Sequence, residues 1–246
     1  MNSDEIIAAF ALPDPRGRPT RIHKVDLVDA AAPGASDKKL IDADLERIDW
    51  SATLSPATIG IASAANAPAL QLLSLATRAE PTVRLLTLIH RAIPLPVVLV
   101  TAFADTVRVS LAPLRPAERV DAMVIERLVV TPALAAPNPS NQAFLASLAI
   151  GTLPRTDLGA LYDALAERVE ALVAANKAGT PFRLPLSRDD AVARREALAE
   201  HDVVAAEYAR ARAAARAEKS LSRQVALADA AAVVKKRLDA IAVTLA

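Results

Sequence analysis

Alternating apolar and polar positions predict a half-buried β-strand around Trp50, the single tryptophan of the chain. A period of two places successive side chains on opposite faces of a sheet. The apolar side chains are Ile48, Trp50, Ala52 and Leu54, and the polar ones are Arg47, Asp49, Ser51 and Thr53. Ser55-Pro56 ends the pattern. Because the segment carries no reacting group, we interpret it as a strand that determines the fold rather than as a functional site.

Further strands are predicted where β-branched and apolar residues cluster between prolines, glycines and polar turns. They cover residues 59–62, 70–77, 96–103, 106–112 and 123–131, with a tight hairpin turn at Ala104-Asp105. Helical periodicity predicts helices at 36–45, 81–94, 140–150 and 157–179, whose starts are Ser36, Pro81, Ser140 or Asn141, and Thr156-Asp157. The pattern indicates an α+β fold with a mostly antiparallel sheet of about five or six strands, packed by three or four helices.

The last part of the chain, 187–246, lacks glycine and proline and predicts a C-terminal helical arm. Its apolar residues recur at alternating spacings of 4 and 3, the seam of a coiled coil, at Leu227, Ala231, Val234, Leu238, Ile241 and Leu245. Leu227, Val234, Leu238, Ile241 and Leu245 form the predicted helix–helix interface. The arm is either one long helix or a hairpin, and Ser220 and Ser222 mark the favoured bend. We therefore divide the chain into an N-terminal segment at 1–35, an α+β domain at 36–180 and the arm.

Composition narrows the classes of protein to which the chain can belong. Cysteine is absent, which excludes disulfides, zinc–thiolate sites and thiol nucleophiles. The formal net charge of +1 provides no general field for nucleic acid or an anionic membrane, so such contacts need a local patch. No apolar stretch has the length of a membrane span or the basic flank of a secretory signal. We therefore expect a cytoplasmic protein that contacts no membrane.

Residue spacings that would bring catalytic groups together are missing. The six glycines form no dinucleotide-binding turn, P-loop or nucleophile elbow. His23, His90 and His201 fall on three different predicted elements, and each is expected at the surface or at a helix cap. The sequence therefore predicts no catalytic, cofactor-binding or metal-binding residue. It favours a non-catalytic protein and leaves an enzyme open.

A metal-dependent nuclease is a further, less favoured hypothesis, because an acid together with an acid-x-lysine pair can bind a divalent ion. Asp37-Lys38-Lys39 is the one triplet of that kind, and further acids follow at Asp42, Asp44, Glu46 and Asp49. Asp37 lies in the first turn of a predicted helix, where the helix dipole favours acids. A solvated acidic face is therefore the simpler interpretation.

One candidate binding surface lies on the predicted arm, where four cations recur at helical spacing: Arg212, Arg216, Lys219 and Arg223. On one continuous helix these side chains form a stripe that can contact phosphates or an acidic partner. The alternative is a solvated face whose cations pair with Glu207 and Glu218, because interspersed charge is ordinary on a long helix. The sequence supports both interpretations.

Three segments, in this order and spacing, resemble a bacterial family called domain of unknown function 4391. They are the Trp50 strand with Leu54-Ser55-Pro56, the segment Ile93-Pro94-Leu95-Pro96 before an apolar strand, and the run 218–227 that begins with Glu218-Lys219. The similarity extends over about residues 40 to 240. Members of that family often carry glutamates and a lysine on the strand that matches 70–78, and this chain lacks them. Acid-and-lysine catalysis proposed for relatives would therefore have no residues here.

The resemblance implies a function by association only. Members of the family tend to be encoded beside DNA methyltransferases and helicases of restriction-like, phage-defence loci. We therefore expect a non-catalytic accessory subunit that binds a protein partner, either a helicase or methyltransferase subunit or a second copy of itself. The alternative is a nucleic-acid-binding accessory protein that uses the cationic stripe.

Overall fold

A computed structural model describes residues 1–13, 19–31, 34–117 and 123–245 of the chain. The chain divides into two compact units, Met1–Leu172 and Val173–Ala246. The first unit combines strands with helices, and the second is helical. Within the described residues, no helix is both long enough and apolar enough to cross a bilayer.

The order of elements is that of an α+β protein followed by a helical region. The helices are α1 (Ser3–Ala9), α2 (Lys24–Ala31), α3 (Ala35–Asp44), α4 (Pro56–Ile59), α5 (Val83–Ala92), α6 (Pro139–Ser147), α7 (Leu158–Ala178), α8 (Arg188–Ala217) and α9 (Leu221–Thr244). The strands are β1 (Thr20–Arg21), β2 (Leu45–Leu54), β3 (Leu70–Thr77), β4 (Val97–Phe103), β5 (Thr106–Leu111), β6 (Leu114–Pro116), β7 (Met123–Ile125) and β8 (Val129–Val130). The predicted α+β class is confirmed.

The main sheet is mixed, and the prediction of a mostly antiparallel sheet is corrected on this point. Its six strands follow the order β1-β2-β3-β4-β5-β8, and β6 and β7 form a separate pair. The neighbours β3 and β4 are parallel, so they need a crossover connection, which α5 provides. Thr82 caps α5 by accepting a hydrogen bond from the Leu85 N–H at 3.2 Å. The apolar face of α5 then packs on side chains of both parallel strands, Leu73, Leu75, Val97 and Leu99.

The predicted strand at 59–62 is wrong. Ser55 and Thr58 form a capping box that starts the short helix α4 at Pro56. Gly60 ends that helix in the left-handed region, with φ of 67°. Ile59 and Ile61 are buried, so their apolar character reflects core packing of a helix end and the following loop rather than a strand.

Other predicted boundaries also differ from the structure. Gly34 stands at the N-cap of α3, and Ser36 lies inside the helix. Asn138 caps α6 through its side chain, in place of the two residues predicted for that role. The single strand predicted at 123–131 forms two short strands, β7 and β8, which belong to different sheets. By contrast, Asp157 accepts from the Ala160 N–H at 2.8 Å at the predicted start of α7.

The strand β2 confirms the prediction around Trp50 but not its simple alternation. Its register with β3 shifts between Trp50 and Ala52, which places a β-bulge at Ser51. An extra residue transfers the side chains that follow it to the other face of the sheet. Ala52 and Leu54, which follow the bulge, are buried, and Trp50, which precedes it, is 42% exposed.

The second unit contains the end of α7 and an antiparallel hairpin of α8 and α9. The predicted arm therefore folds back, and the connection at 218–220 lies beside the predicted bend. Ser187 caps α8 by accepting from the Asp190 N–H at 3.1 Å. Between the two helices, the Arg237 Nη2 donates to the Glu200 Oε1 at 2.7 Å. The structure shows a helical hairpin and does not show the predicted coiled-coil character.

Candidate functional site

The candidate site is a groove between α8 and α9, near the bend of the hairpin. Its volume is about 470 Å³, and its walls are Tyr208, Arg212, Ala215, Arg216, Gln224, Ala228, Ala231, Ala232 and Lys235. An alanine offers only a Cβ across a helix pair, so facing alanines leave part of the space between two helices unfilled. The groove is therefore a consequence of the alanine-rich sequence at this end of the hairpin.

Cationic side chains stand on both walls of the groove. Arg212 and Arg216 belong to α8, and Lys235 belongs to α9. The two arginines share one face of α8 because residues four apart are neighbours on a helix surface. Both are exposed, and Lys235 is half-buried. Charges on opposite walls can contact two sides of one anionic ligand.

The bend divides the predicted stripe of four cations. Arg212 and Arg216 line the groove, whereas Lys219 lies in the connection and Arg223 in the first turn of α9. All four residues are exposed. Their spacing places them on one face only along a continuous helix, and α8 ends at Ala217. The structure therefore keeps two of the four in the groove and adds Lys235 from the other helix.

The acids that the solvated-face interpretation assigns to these cations have other partners. Glu207 Oε2 lies 4.0 Å from the Arg237 Nη1. Glu218 Oε1 accepts from the backbone N–H groups of Lys219 and Ser220 at 2.8 Å each. Within the described residues, Arg212 and Arg216 form no ion pair with either acid. Their charges are therefore available to a ligand.

Lys235 forms an ion pair with Asp239, which lies outside the lining of the groove. Its Nζ contacts the Asp239 Oδ1, one turn further along α9. Both side chains are partly exposed, and such an exposed pair on one helix contributes only about 0.3–0.5 kcal/mol. A phosphate in the groove can therefore compete for the Lys235 ammonium group at small cost.

The predicted interface on α9 is used in large part inside the hairpin. Ile241 and Leu245 are buried, and Leu227, Val234 and Leu238 are half-buried. Leu245 packs in one cluster with Leu198 of α8. The seam therefore leaves little apolar surface for a second chain at these positions.

Two of the acids considered for a nuclease, Asp37 and Asp49, bind arginines in the first unit. Asp37 accepts from the Arg84 Nε at 2.9 Å and from its Nη2 at 2.5 Å. The side-chain hydrogen bond from Arg84 lowers the pKa of Asp37. Asp49 accepts from the Arg47 Nε at 2.6 Å. In the part of the chain that the structure describes, no three histidines, cysteines or acids lie together in a way that could hold a metal ion.

The three histidines lie in different environments, and one of them is wrongly predicted. His90 of α5 is buried, contrary to the expected surface or cap position, and its Nε2 lies 3.1 Å from the Ser110 Oγ of β5. Burial lowers the pKa of His90 to about 4, so its ring is neutral at pH 7. His23 is exposed, and His201 Nδ1 lies 3.1 Å from the Lys177 Nζ. None of the three histidines lines the groove.

Sequence reasoning missed Tyr208, Gln224 and Lys235 as parts of the groove. A signal for the α9 wall exists, because Gln224, Ala228, Ala231 and Lys235 repeat the spacing of the cationic stripe. That signal acquires a meaning only when the chain bends between the two stretches, since the bend is what turns two helix faces toward each other.

Comparison with known proteins identifies a family and no function. The model of the family described as "Domain of unknown function (DUF4391)" matches residues 10–238, so the chain belongs to that family. Neither a curated protein nor a solved structure matches the chain.

Proposed function

We propose that this member of the domain of unknown function 4391 family is a non-catalytic accessory protein that binds nucleic acid through the tip of its C-terminal hairpin. The observation that carries the proposal is the convergence of Arg212, Arg216 and Lys235 on one groove. The neighbouring acids Glu207 and Glu218 are engaged elsewhere. Arg212 and Arg216 form no ion pair within the described residues, and Lys235 pairs only with the exposed Asp239 there. A local concentration of such cations is the electrostatic footprint of phosphate binding.

The local charge of the hairpin tip differs from that of the whole chain. Residues 208–228 contain five cations, Arg210, Arg212, Arg216, Lys219 and Arg223, and one acid, Glu218. The net charge of the entire protein is only +1. A nucleic acid approaching the molecule therefore meets a positive patch at the tip rather than a general field.

The proposal predicts a measurable dependence of affinity on salt. About three to five phosphate contacts give a slope of log K against log salt between about −2 and −4.5, depending on whether the strand is single or double. Fluorescence anisotropy of a short labelled oligonucleotide, titrated with the full chain between about 50 and 200 mM salt, measures that slope. Substitution of Arg212, Arg216, Lys219 and Arg223 by Glu is expected to abolish binding.

A matched variant separates the hairpin tip from charge in general. Substituting Lys38, Lys39, Arg91 and Arg188 by Glu changes the net charge by the same amount, and all four residues are exposed and lie outside the groove. This variant is expected to lose much less affinity than the variant with four Glu substitutions at the hairpin tip. Salt-dependent binding that survives in the hairpin-tip variant, or an equal loss in both variants, would refute the proposal.

Docking of a protein partner is a second candidate function, and a separate observation favours it. Leu221 and Val225 are 74% and 54% exposed on the first turns of α9, on one face because they are four residues apart. Light scattering of the wild type and of a Leu221→Asp, Val225→Asp variant tests for self-association. An equal monomer mass for both would exclude the second copy as the partner. Partnership with a helicase or methyltransferase in a phage-defence system is an expectation that rests on the family resemblance alone.

A further inference from the structure

We propose that the groove receives an unstacked base of a single-stranded nucleic acid, with Tyr208 as the surface on which the base stacks. This inference rests on the proposed function, because it assumes that the cations of the hairpin tip hold the phosphates. It goes beyond that function by selecting single strands over duplexes and by assigning a role to a residue that carries no charge.

Tyr208 is the only aromatic side chain in the lining of the groove. It precedes Arg212 by one helical turn on α8, so a ring and a cation lie side by side on one wall. The side chain is half-buried, and within the described residues its hydroxyl makes no hydrogen bond. The other tyrosine, Tyr162, is buried and uses its hydroxyl in two backbone hydrogen bonds. Tyr208 is thus the tyrosine that is free to contact a ligand.

The dimensions and chemistry of the groove suit a base with its adjoining phosphates. The volume of about 470 Å³ falls in the range of sites that hold small organic ligands. Gln224 stands in the wall formed by α9 and offers an amide NH2 group as donor and a carbonyl oxygen as acceptor to the edge of a base. Arg212, Arg216 and Lys235 supply charge to the phosphates on either side. Aromatic platforms beside a cationic track are the usual means of binding single strands.

A duplex cannot use this combination. Its bases are stacked and paired, so a base enters a groove only after unpairing, which costs a few kcal/mol. A duplex can therefore contact the exposed cations of the tip but not Tyr208. Single strands expose their bases without that cost, so the protein is expected to bind them more tightly than duplexes. This difference in affinity is expected to depend on the ring of Tyr208.

A four-way comparison tests the inference with two proteins and two ligands. The wild type and Tyr208→Ala are titrated by anisotropy with a labelled single-stranded DNA and with an abasic strand of the same length, which keeps the phosphates and lacks bases. Loss of one stacked base is expected to weaken the binding of Tyr208→Ala to normal DNA by about 5- to 150-fold. The abasic strand is expected to bind both proteins equally. A duplex of the same sequence is likewise expected to bind both proteins equally.

Two further variants protect the test from effects on folding. Tyr208→Phe keeps the ring and is expected to bind as the wild type does. Ala228→Leu fills the groove without removing a charge, replaces an exposed residue by another good helix former, and is expected to reduce binding of normal strands only. Circular dichroism at 222 nm of each variant confirms that the hairpin is intact.

The possible failures distinguish this inference from the proposed function. If single strand and duplex bind equally, and Tyr208→Ala and Ala228→Leu leave both affinities unchanged while the Glu variant loses them, the stacking site is refuted and the cationic interface stands. If the wild type binds neither ligand, both proposals are refuted.

Discussion

Replacement of Tyr162 by Phe is expected to destabilise the first unit through one missing hydroxyl group. Tyr162 projects from α7, and its hydroxyl accepts from the Ala112 N–H at 2.9 Å and donates to the Val97 C=O at 2.8 Å. Val98 pairs with Leu111 in the β4–β5 ladder, so Val97 and Ala112 are the next residues along the two strands. The hydroxyl therefore continues the ladder where the strands separate, and it attaches both of them to α7.

The size of the effect follows from the burial of this group. Tyr162 is only 3% exposed, and burial raises the pKa of its hydroxyl, so the group remains protonated up to high pH. In Tyr162→Phe, one backbone donor and one backbone acceptor lose this partner in a place that water reaches poorly. Each buried group without a partner costs about 1–3 kcal/mol, and we expect a total loss of about 2–4 kcal/mol in the free energy of unfolding.

Urea unfolding followed by tryptophan fluorescence measures this loss, because it reports on the compact unit that contains Tyr162. Trp50 is the only tryptophan and lies in the same compact unit as Tyr162, Met1–Leu172. The midpoint is expected to fall with an unchanged slope, since the area exposed on unfolding is the same. Tyr208→Phe, which removes a hydroxyl from the other unit, is the control and should leave the Trp50 transition in place. A loss below about 0.5 kcal/mol for Tyr162→Phe would refute the reasoning, because surface substitutions already produce changes of that size.

Two other predictions concern pH and backbone conformation. Burial lowers the pKa of His90 to about 4, whereas the pKa of a histidine in the unfolded chain is about 6.5. The unfolded state therefore binds the proton first as the pH decreases. The free energy of unfolding is expected to fall by about 3 kcal/mol between pH 6.5 and pH 4. Urea unfolding at several pH values in this range measures how the free energy of unfolding changes with pH. That change should be smaller for His90→Gln than for the wild type, and an equal change in both proteins would contradict this account. Gly179 has φ of 67°, where a Cβ is strained, so Gly179→Ala is expected to cost about 1–2 kcal/mol in thermal unfolding followed at 222 nm. Gly151→Ala has open space and no positive φ and should melt near the wild type, and the same melting temperature for both variants would show that the left-handed conformation carries no cost.

Local signals predicted the elements whose periodicity and boundaries agree. The strands β3, β4 and β5 follow apolar, β-branched segments bounded by prolines and a polar turn, and they lie within one residue of the predicted limits. The prediction at 59–62 fails because Ile59 and Ile61 are buried in a helix end and the loop after it. Burial and strand pairing produce the same short apolar run, so sequence cannot separate them at 59–62. The prediction at 123–131 fails because the predicted single strand is divided between two sheets.

The parallel pair β3–β4 illustrates a second limit of the sequence. The crossover helix α5 and both strands agree with the prediction, but the sheet was expected to be mostly antiparallel and this pair is parallel. Direction and neighbourhood depend on how the helix packs across the sheet, a contact between residues far apart in the chain. The same limit applies to the bulge beside Trp50, because it arises from the pairing of β2 with β3.

For the candidate site, the sequence by itself determined which features are present. It shows the absence of glycine and proline after Pro185, the cationic stripe and the apolar seam. These features indicate helices with charge at one end and apolar contacts at the other. Only the tertiary structure decided that the arm bends at 218–220 and that part of its apolar seam is buried against α8. The physical reason is that helical periodicity describes which side chains share a face, whereas a groove requires two faces to meet. Lys235 and Tyr208, 27 residues apart in the chain, line one groove because the two helices are antiparallel.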